Sequence, residues 1–444
     1  MRVKWKTKYL NKGVGFSLRP LMVTDTFALI SGTRAIVNGV ENKILKVNLS
    51  TGNYSDYIIL DSLATNATLD FFIYRSSTDG PINLITKNFE QELIGYSGSQ
   101  LSWKVKNISD GFFKLIYKKA ADFNQDGSLE IYTGNSLVSD TGVLLFKGNS
   151  SEGCNFISGS NECFLGANSI ASDFTDHPGL ELACGNVVYE VNLINTVDSV
   201  GNTANVITAP PDVLEGYTAM GDFDGDGRLE VVSSRSNGND DGGVWIWNPR
   251  DVSVLASTVH PSTVGGWGGV PTIADVDNDC VPEVVVIYEN VLKVYTYDGT
   301  SELKILHERT IIDDSGYIIP SVFDLNSDGI NEIIYRDEDH LFILDGPSGI
   351  TLDSFPLMSP TANEQPIITD GDGDGHAEIL IQGSDDDPDS LRLFCFESAN
   401  RPWAPARRGA PRRPRSPRGR SGAGSGRRAR SRSWRSTRSS PWRG

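Results

Sequence analysis

Apolar residues along this chain come in short β-branched runs separated by turn formers. Examples are Val284-Val285-Val286-Ile287-Tyr288, Val291-Leu292-Lys293-Val294-Tyr295-Thr296-Tyr297, Ile333-Ile334-Tyr335 and Ile379-Leu380-Ile381. Runs of this length and composition, bounded by Gly, Asp and Asn, predict strands. Between Asp275 and Asp324 the pattern predicts four of them: Thr272-Ile273-Ala274 entering the interval, the run after Glu283, the run 291–297 ahead of the Asp298-Gly299 turn, and Leu303–Leu306. The same order recurs along most of the chain, which predicts an all-β protein.

Polar positions repeat with the apolar ones. The stretch Gly221-Asp222-Phe223-Asp224-Gly225-Asp226-Gly227-Arg228-Leu229-Glu230 places acids at positions 1, 3, 5 and 9 of a glycine-punctuated loop. Comparable stretches start at Asp122, Asp275, Asp324 and Asp370. A decayed copy starts at Asp173, and a weaker one at Ser62. Successive starts are 60, 51, 49, 53, 49 and 46 residues apart, the period of a repeat architecture. Four short strands per period, repeated around a ring, is the pattern of a β-propeller blade.

Two like charges a few Å apart repel by roughly 4 kcal/mol at an effective dielectric near 20, so such a loop needs a cation to hold it closed. Oxygen-only ligands suit a hard divalent ion, Ca²⁺ before Mg²⁺. The candidate ligands are Asp122, Asn124, Asp126 and Glu130; Asp222, Asp224, Asp226 and Glu230; Asp275, Asp277, Asp279 and Glu283; Asp324, Asn326, Asp328 and Glu332; and Asp370, Asp372, Asp374 and Glu378. A β-branched run follows position 9, which excludes an EF-hand, where a bidentate Glu stands at position 12 between helices. Cys280 replaces the glycine at position 6, where a left-handed backbone is expected. The Asp173 copy has Thr175, His177 and Pro178 at positions 3, 5 and 6, and the Ser62 copy has Ala64 at position 3. Both read as metal-free turns.

Pro271, Pro320 and Pro366 each precede their loop by four residues. The resulting Pro-x-x-x-Asp-x-Asp-x-Asp-Gly-x-x-Glu frame resembles the FG-GAP/VCBS repeat, which builds the propeller at the head of integrin alpha subunits and propellers of secreted bacterial proteins. The resemblance covers roughly residues 20 to 400. It implies a propeller with several structural Ca²⁺ ions, each in a loop joining the first and second strands of a blade. Residues 20–60 read as a blade without such a loop. The last partial unit, Ile367 to Phe396, supplies three strands, and Val3–Leu10 is available as its fourth. That closure makes eight blades. Seven is the favoured number, as in the integrin-like relatives, if residues 20–60 instead complete the last blade.

Composition changes this picture in three places. From Arg401 the chain holds fifteen Arg and no Asp, Glu or Lys, leaving 25 basic against 57 acidic side chains before it. Residues 401–444 therefore read as a disordered Arg/Pro/Ser/Gly-rich tail outside the propeller at 1–400, and as an out-of-frame translation in preference to an anion-binding arm. Met1–Leu10 lacks the apolar core of a signal peptide and no stretch resembles a transmembrane helix. Low-affinity Ca²⁺ loops fill near millimolar calcium, so the expectation is a piece of a larger extracellular or cell-surface protein. Cys154 and Cys163 flank an eight-residue loop that a local disulfide would close, whereas Cys184 and Cys395 lie in apolar runs as buried thiols.

No Gly-x-Ser-x-Gly, His-Glu-x-x-His or phosphate-cradling glycine loop is present. The favoured reading is a non-catalytic propeller that binds protein or glycan, with no nucleic acid or membrane insertion expected of the folded part. The candidate contact residues are Trp267, Tyr217 and Tyr317, each beside glycine in the segments entering first strands. Their alternative is packing between blades. A second class stays open, a polysaccharide lyase resembling the rhamnogalacturonan lyases, which use similar Ca²⁺-decorated propellers.

Overall fold

The computed structural model describes the chain except residues 8–19, 24–26, 37–38, 60–71, 75–81, 88–91, 107, 109–117, 152, 154–166, 236–241, 261–267, 289, 314–317, 359–364, 387–391 and 398–444. Contacts divide the chain into Met1–Ala404 and Pro405–Gly444. The Arg-rich tail, the Cys154/Cys163 loop, Ser62–Asp70, Trp267 and Tyr317 all lie outside the described residues.

The first unit is all β. Its strands form eight four-stranded antiparallel sheets, and no helix occurs among the described residues. In chain order the blades span residues 20–59, 72–105, 119–147, 170–208, 217–260, 272–310, 321–356 and 367–397, the last completed by the strand Arg2–Lys6. The favoured count of seven is thus corrected to eight. Residues 20–59 make a sheet of their own, Pro20–Val23 through Tyr54–Ile59, and the strand Arg2–Lys6 supplies the missing fourth place beside Arg392–Glu397.

The continuous apolar runs are second strands buried on both faces. Every residue of Glu283–Tyr288 is buried, and alternation sends Val284, Val286 and Tyr288 toward blade 5 but Val285 and Ile287 toward blade 7. A strand with no solvent face has no use for polar alternation. Among the described residues eight hydrophobic clusters form, and each joins two consecutive blades. The cluster of Trp5, Ala28, Ile30, Leu45, Leu380 and Leu393 joins the last blade to the first and closes the ring. Burying each such side chain contributes about 1.5–3 kcal/mol, so closure is worth as much as any other inter-blade seam. Fourth strands are half exposed, as in Lys304–Thr310.

First strands of successive blades touch one another, which sets them innermost. The recurring prolines stand at this seam: the Pro320 carbonyl accepts a hydrogen bond from Thr272 Oγ1 and the Pro366 carbonyl one from Ser321 Oγ, both at 2.7 Å. Proline at the mouth of an inner strand costs no ladder bond, and its carbonyl ties one blade to the previous one.

Candidate metal centre

Six loops join the first and second strands of their blades, starting at Asp122, Asp173, Asp222, Asp275, Asp324 and Asp370. The Ser62 copy falls, in chain order, between Ile59 and Phe72, before the first strand of blade 2. It is therefore no counterpart of the others.

One hydrogen bond recurs in all six loops. The position-9 glutamate is buried, and its Oε2 accepts the N–H of position 2: Phe123 to Glu130 at 2.8 Å, Phe174 to Glu181 at 2.6 Å, Phe223 to Glu230 at 3.0 Å, Val276 to Glu283 at 2.8 Å, Leu325 to Glu332 at 2.6 Å and Gly371 to Glu378 at 2.7 Å. Position 9 thus anchors the loop with one oxygen and presents the other to positions 3 and 5. The side chain at position 2 fastens the loop to the core, since Phe123, Phe174, Phe223, Val276 and Leu325 each pack into the seam with the following blade. In the last loop position 2 is Gly371, where a Cβ would stand 2.7 Å from Leu49 Cδ1 of blade 1.

The five acidic loops share one backbone. Position 4 has positive φ as Gln125, Gly225, Asn278, Ser327 and Gly373, and position 6 as Gly127, Gly227, Cys280, Gly329 and Gly375. This winding turns amide N–H groups inward onto the acids. Asp122 Oδ2, Asp222 Oδ2, Asp275 Oδ2, Asp324 Oδ2 and Asp370 Oδ2 each accept the N–H of position 6, at 2.9 to 3.2 Å. At position 6 of the Asp173 loop, Pro178 has φ fixed near −65°, and the positive φ moves on to Gly179.

The consequence is convergence of charge. One oxygen each from Asp222, Asp224 and Glu230, from Asp275, Asp277 and Asp279, from Asp324, Asp328 and Glu332, and from Asp370, Asp372 and Asp374 lie within 4.8 Å of one another. Asp222 Oδ1, Asp370 Oδ1 and Asp372 Oδ1 are buried without a hydrogen-bond donor. Burial, reinforced by the loop aspartates, pushes the carboxyls of Glu130, Glu230, Glu283 and Glu332 up to about 7. Converging carboxylates, orphaned oxygens and raised proton affinity are what a hard divalent cation relieves, and this donor set fits Ca²⁺. The Asp122 loop offers the Asn124 amide in place of one acid, but Asn124 Nδ2 donates to Asp126 Oδ2 at 3.0 Å.

Two cationic side chains that local reading missed enter these clusters. Arg250 Nη2 lies 3.2 Å from Glu230 Oε1 and 3.5 Å from Asp226 Oδ2, while its Nη1 donates to the Phe174 and Leu229 carbonyls at 3.3 and 3.5 Å. Lys4 enters the Asp370 loop from the opposite end of the chain. Neither residue has a signal in its own neighbourhood, because the first is 20 residues past its loop and the second about 370 before.

Among the aromatic candidates, Tyr217 is corrected. It is fully buried at the start of the first strand of blade 5, so its ring packs inside and offers no stacking face. Cys184 and Cys395 are buried thiols as expected, and Cys280 is exposed with φ of 76°. No helix among the described residues is long and apolar enough to cross a membrane.

Strand, acidic loop and buried strand, set around a ring, define a β-propeller with acidic loops between first and second strands. The model of the FG-GAP-like repeat matches residues 222–286 and 275–335, covering blades 5, 6 and part of 7. This chain is a β-propeller that carries FG-GAP-like repeats over residues 222–335. Its fold is similar to that of the V. cholerae biofilm matrix protein Bap1, at 14% identity and a TM-score of 0.57 over 90% of this chain and 92% of that one. The quinohemoprotein alcohol dehydrogenase ADHIIG from Pseudomonas putida HK5 is similar at 9% identity and a TM-score of 0.55, over 92% and 78%. At such identities the likeness is of fold. A search of curated protein sequences found no significant match.

Proposed function

We propose that the chain is a non-catalytic extracellular or cell-surface binding module, held rigid by Ca²⁺ in loops between first and second strands, that recognises a protein or glycan partner. The observation carrying this reading is the buried, donor-less Asp222 Oδ1 among converging carboxylates in a loop whose backbone recurs in four other blades. Acidic loops repeated at this density are stable where calcium is near millimolar, outside the cell. A matrix setting of the kind named for the Bap1 neighbour accords with it. Because an alcohol dehydrogenase shares the architecture, fold alone does not choose between binding and catalysis.

Chelation tests the metal half. Each ion held at a hundredfold excess over its dissociation constant stabilises by about 2.7 kcal/mol, so removing calcium with a chelator lowers the melting temperature and restoring it reverses the change. An unchanged melting temperature removes the calcium reading. A glycan array run with calcium, beside an absorbance assay for lyase products on pectic and uronate polymers, tests the other half. Saturable binding without new unsaturated ends supports the module, whereas release of unsaturated products replaces it with the lyase.

A further inference from the structure

The last blade differs from its neighbours at one position of its outer strand. The strand Arg2–Lys6 pairs Val3 with Phe396 and Trp5 with Cys395, leaving Lys4 at a bulge. Blades 1, 2, 3, 5, 6 and 7 have the same bulge in their fourth strands, and the residue skipped there is Tyr57, Ser102, Leu145, Leu255, Leu306 and Leu352 respectively. The closing blade puts a lysine where these have an uncharged residue, leucine in four of them. Its ammonium lies 2.7 Å from Asp372 Oδ2, 2.7 Å from Glu397 Oε1, 3.0 Å from Glu378 Oε1 and 3.5 Å from Asp374 Oδ2. Those are positions 3, 5 and 9 of the Asp370 loop, plus the residue that pairs with position 9 across the sheet. An ammonium has three protons to donate, and three carboxylates stand within 3.0 Å of it.

We propose that Lys4 is a tethered cation that stands in for the metal at positions 3, 5 and 9 of the Asp370 loop, so that the ring closes through a charge clasp needing no divalent ion. This rests on the reading that the other loops take Ca²⁺. The clasp sits at the seam where distant parts of the chain meet, with Trp5 Nε1 donating to the Leu49 carbonyl of blade 1 beside it. Every other blade with such a loop draws all four strands from contiguous sequence and can wait for an ion. The closing blade must recruit a strand from the other end of the chain, and a cation carried on that strand couples capture of the strand to neutralisation of the loop. The Asp370 loop is then a latent divalent site, open only when the lysine is gone.

The test counts ions bound per full-length chain by equilibrium dialysis with radioactive calcium. Asp324→Ala loses one ion relative to wild type, whereas Asp370→Ala loses none. Lys4→Met and Lys4→Leu, the latter matching blades 3, 5, 6 and 7, each gain one ion, and adding Asp370→Ala to either removes it. The clasp is overturned if Asp370→Ala in the wild-type background loses an ion, or if folded Lys4 variants gain none. Should the Lys4 variants not fold, the comparison of Asp370→Ala with Asp324→Ala still decides. Failure of the underlying metal reading looks different: no ion is bound by wild type, and Asp324→Ala and Lys4→Met change nothing, which overturns the clasp as well.

Discussion

Blades 4 and 6 share one loop anchor around opposite contents. In both, position 9 accepts the position-2 N–H, at 2.6 Å for Glu181 and 2.8 Å for Glu283, and the residue at position 2 is buried in the next seam. Blade 6 then sets Asp277 and Asp279 beside Asp275. Blade 4 has Thr175 instead, its Oγ1 within 3.0 Å of Glu181 Oε1 and 2.9 Å of Glu190 Oε1, and His177 Nδ1 lies 3.8 Å from Glu181. A neutral hydroxyl there puts one donor proton between two acids where blade 6 has a further carboxylate. The anchor of the loop is therefore separable from its charge, and the first persists in blade 4 where the second has been replaced.

Removing the anchor from each blade sharpens this most. Glu181→Ala leaves the Phe174 N–H unpaired in a buried place and costs about 1–3 kcal/mol with or without calcium. Glu283→Ala costs the same in chelator and more in calcium, because an ion is lost as well. Urea unfolding of both variants under both conditions measures it. Equal calcium dependence in the two variants breaks the comparison.

A smaller effect follows from pH. In the metal-free fold Glu130, Glu230, Glu283 and Glu332 titrate near 7 because of burial, against an ordinary value of 4.5. Folding then takes up protons between these values, so stability without calcium is highest below about 4.5 as far as these groups are concerned, and falls as pH rises to about 7. Bound calcium holds the glutamates ionised in the fold and abolishes that decline. Urea midpoints at pH 5 and pH 8, with calcium and with a chelator that binds at both, check it; a decline of equal size in both conditions contradicts it.

The smallest effect is at Cys280. A non-glycine residue at φ of 76° carries strain of about 1–2 kcal/mol, so Cys280→Gly recovers up to about 1 kcal/mol once the added freedom of the unfolded chain is subtracted. It also tightens calcium binding to that loop, measured by titration against the Asp324 loop as reference. A loss of stability would show that the thiol makes a contact worth more than the strain.

Much of this was legible beforehand because it is local. The strand runs, the fifty-residue period and the acids at positions 1, 3, 5 and 9 are properties of contiguous residues, and the left-handed turn at position 6 was readable even through Cys280. The Ser62 copy misled because spacing alone does not say which strands flank a loop. Tyr217 was left between two readings because a residue beside glycine reads as flexible, and its full burial decides for packing.

Chain order by itself determined the all-β blades, their repeat and the places where carboxylates gather, since hydrogen-bonded hairpins and turns act over a few residues. Tertiary structure alone decided that there are eight blades, that position 9 spends one oxygen on the backbone, and that Lys4 and Arg250 reach acidic loops. Ring closure is the physical reason for the eighth blade and for Lys4, whereas the position-9 bond and the reach of Arg250 come from folding within a blade. Closure brings the strand Arg2–Lys6 against Arg392–Glu397, and contacts across about 390 residues leave no trace in the spacing of either segment.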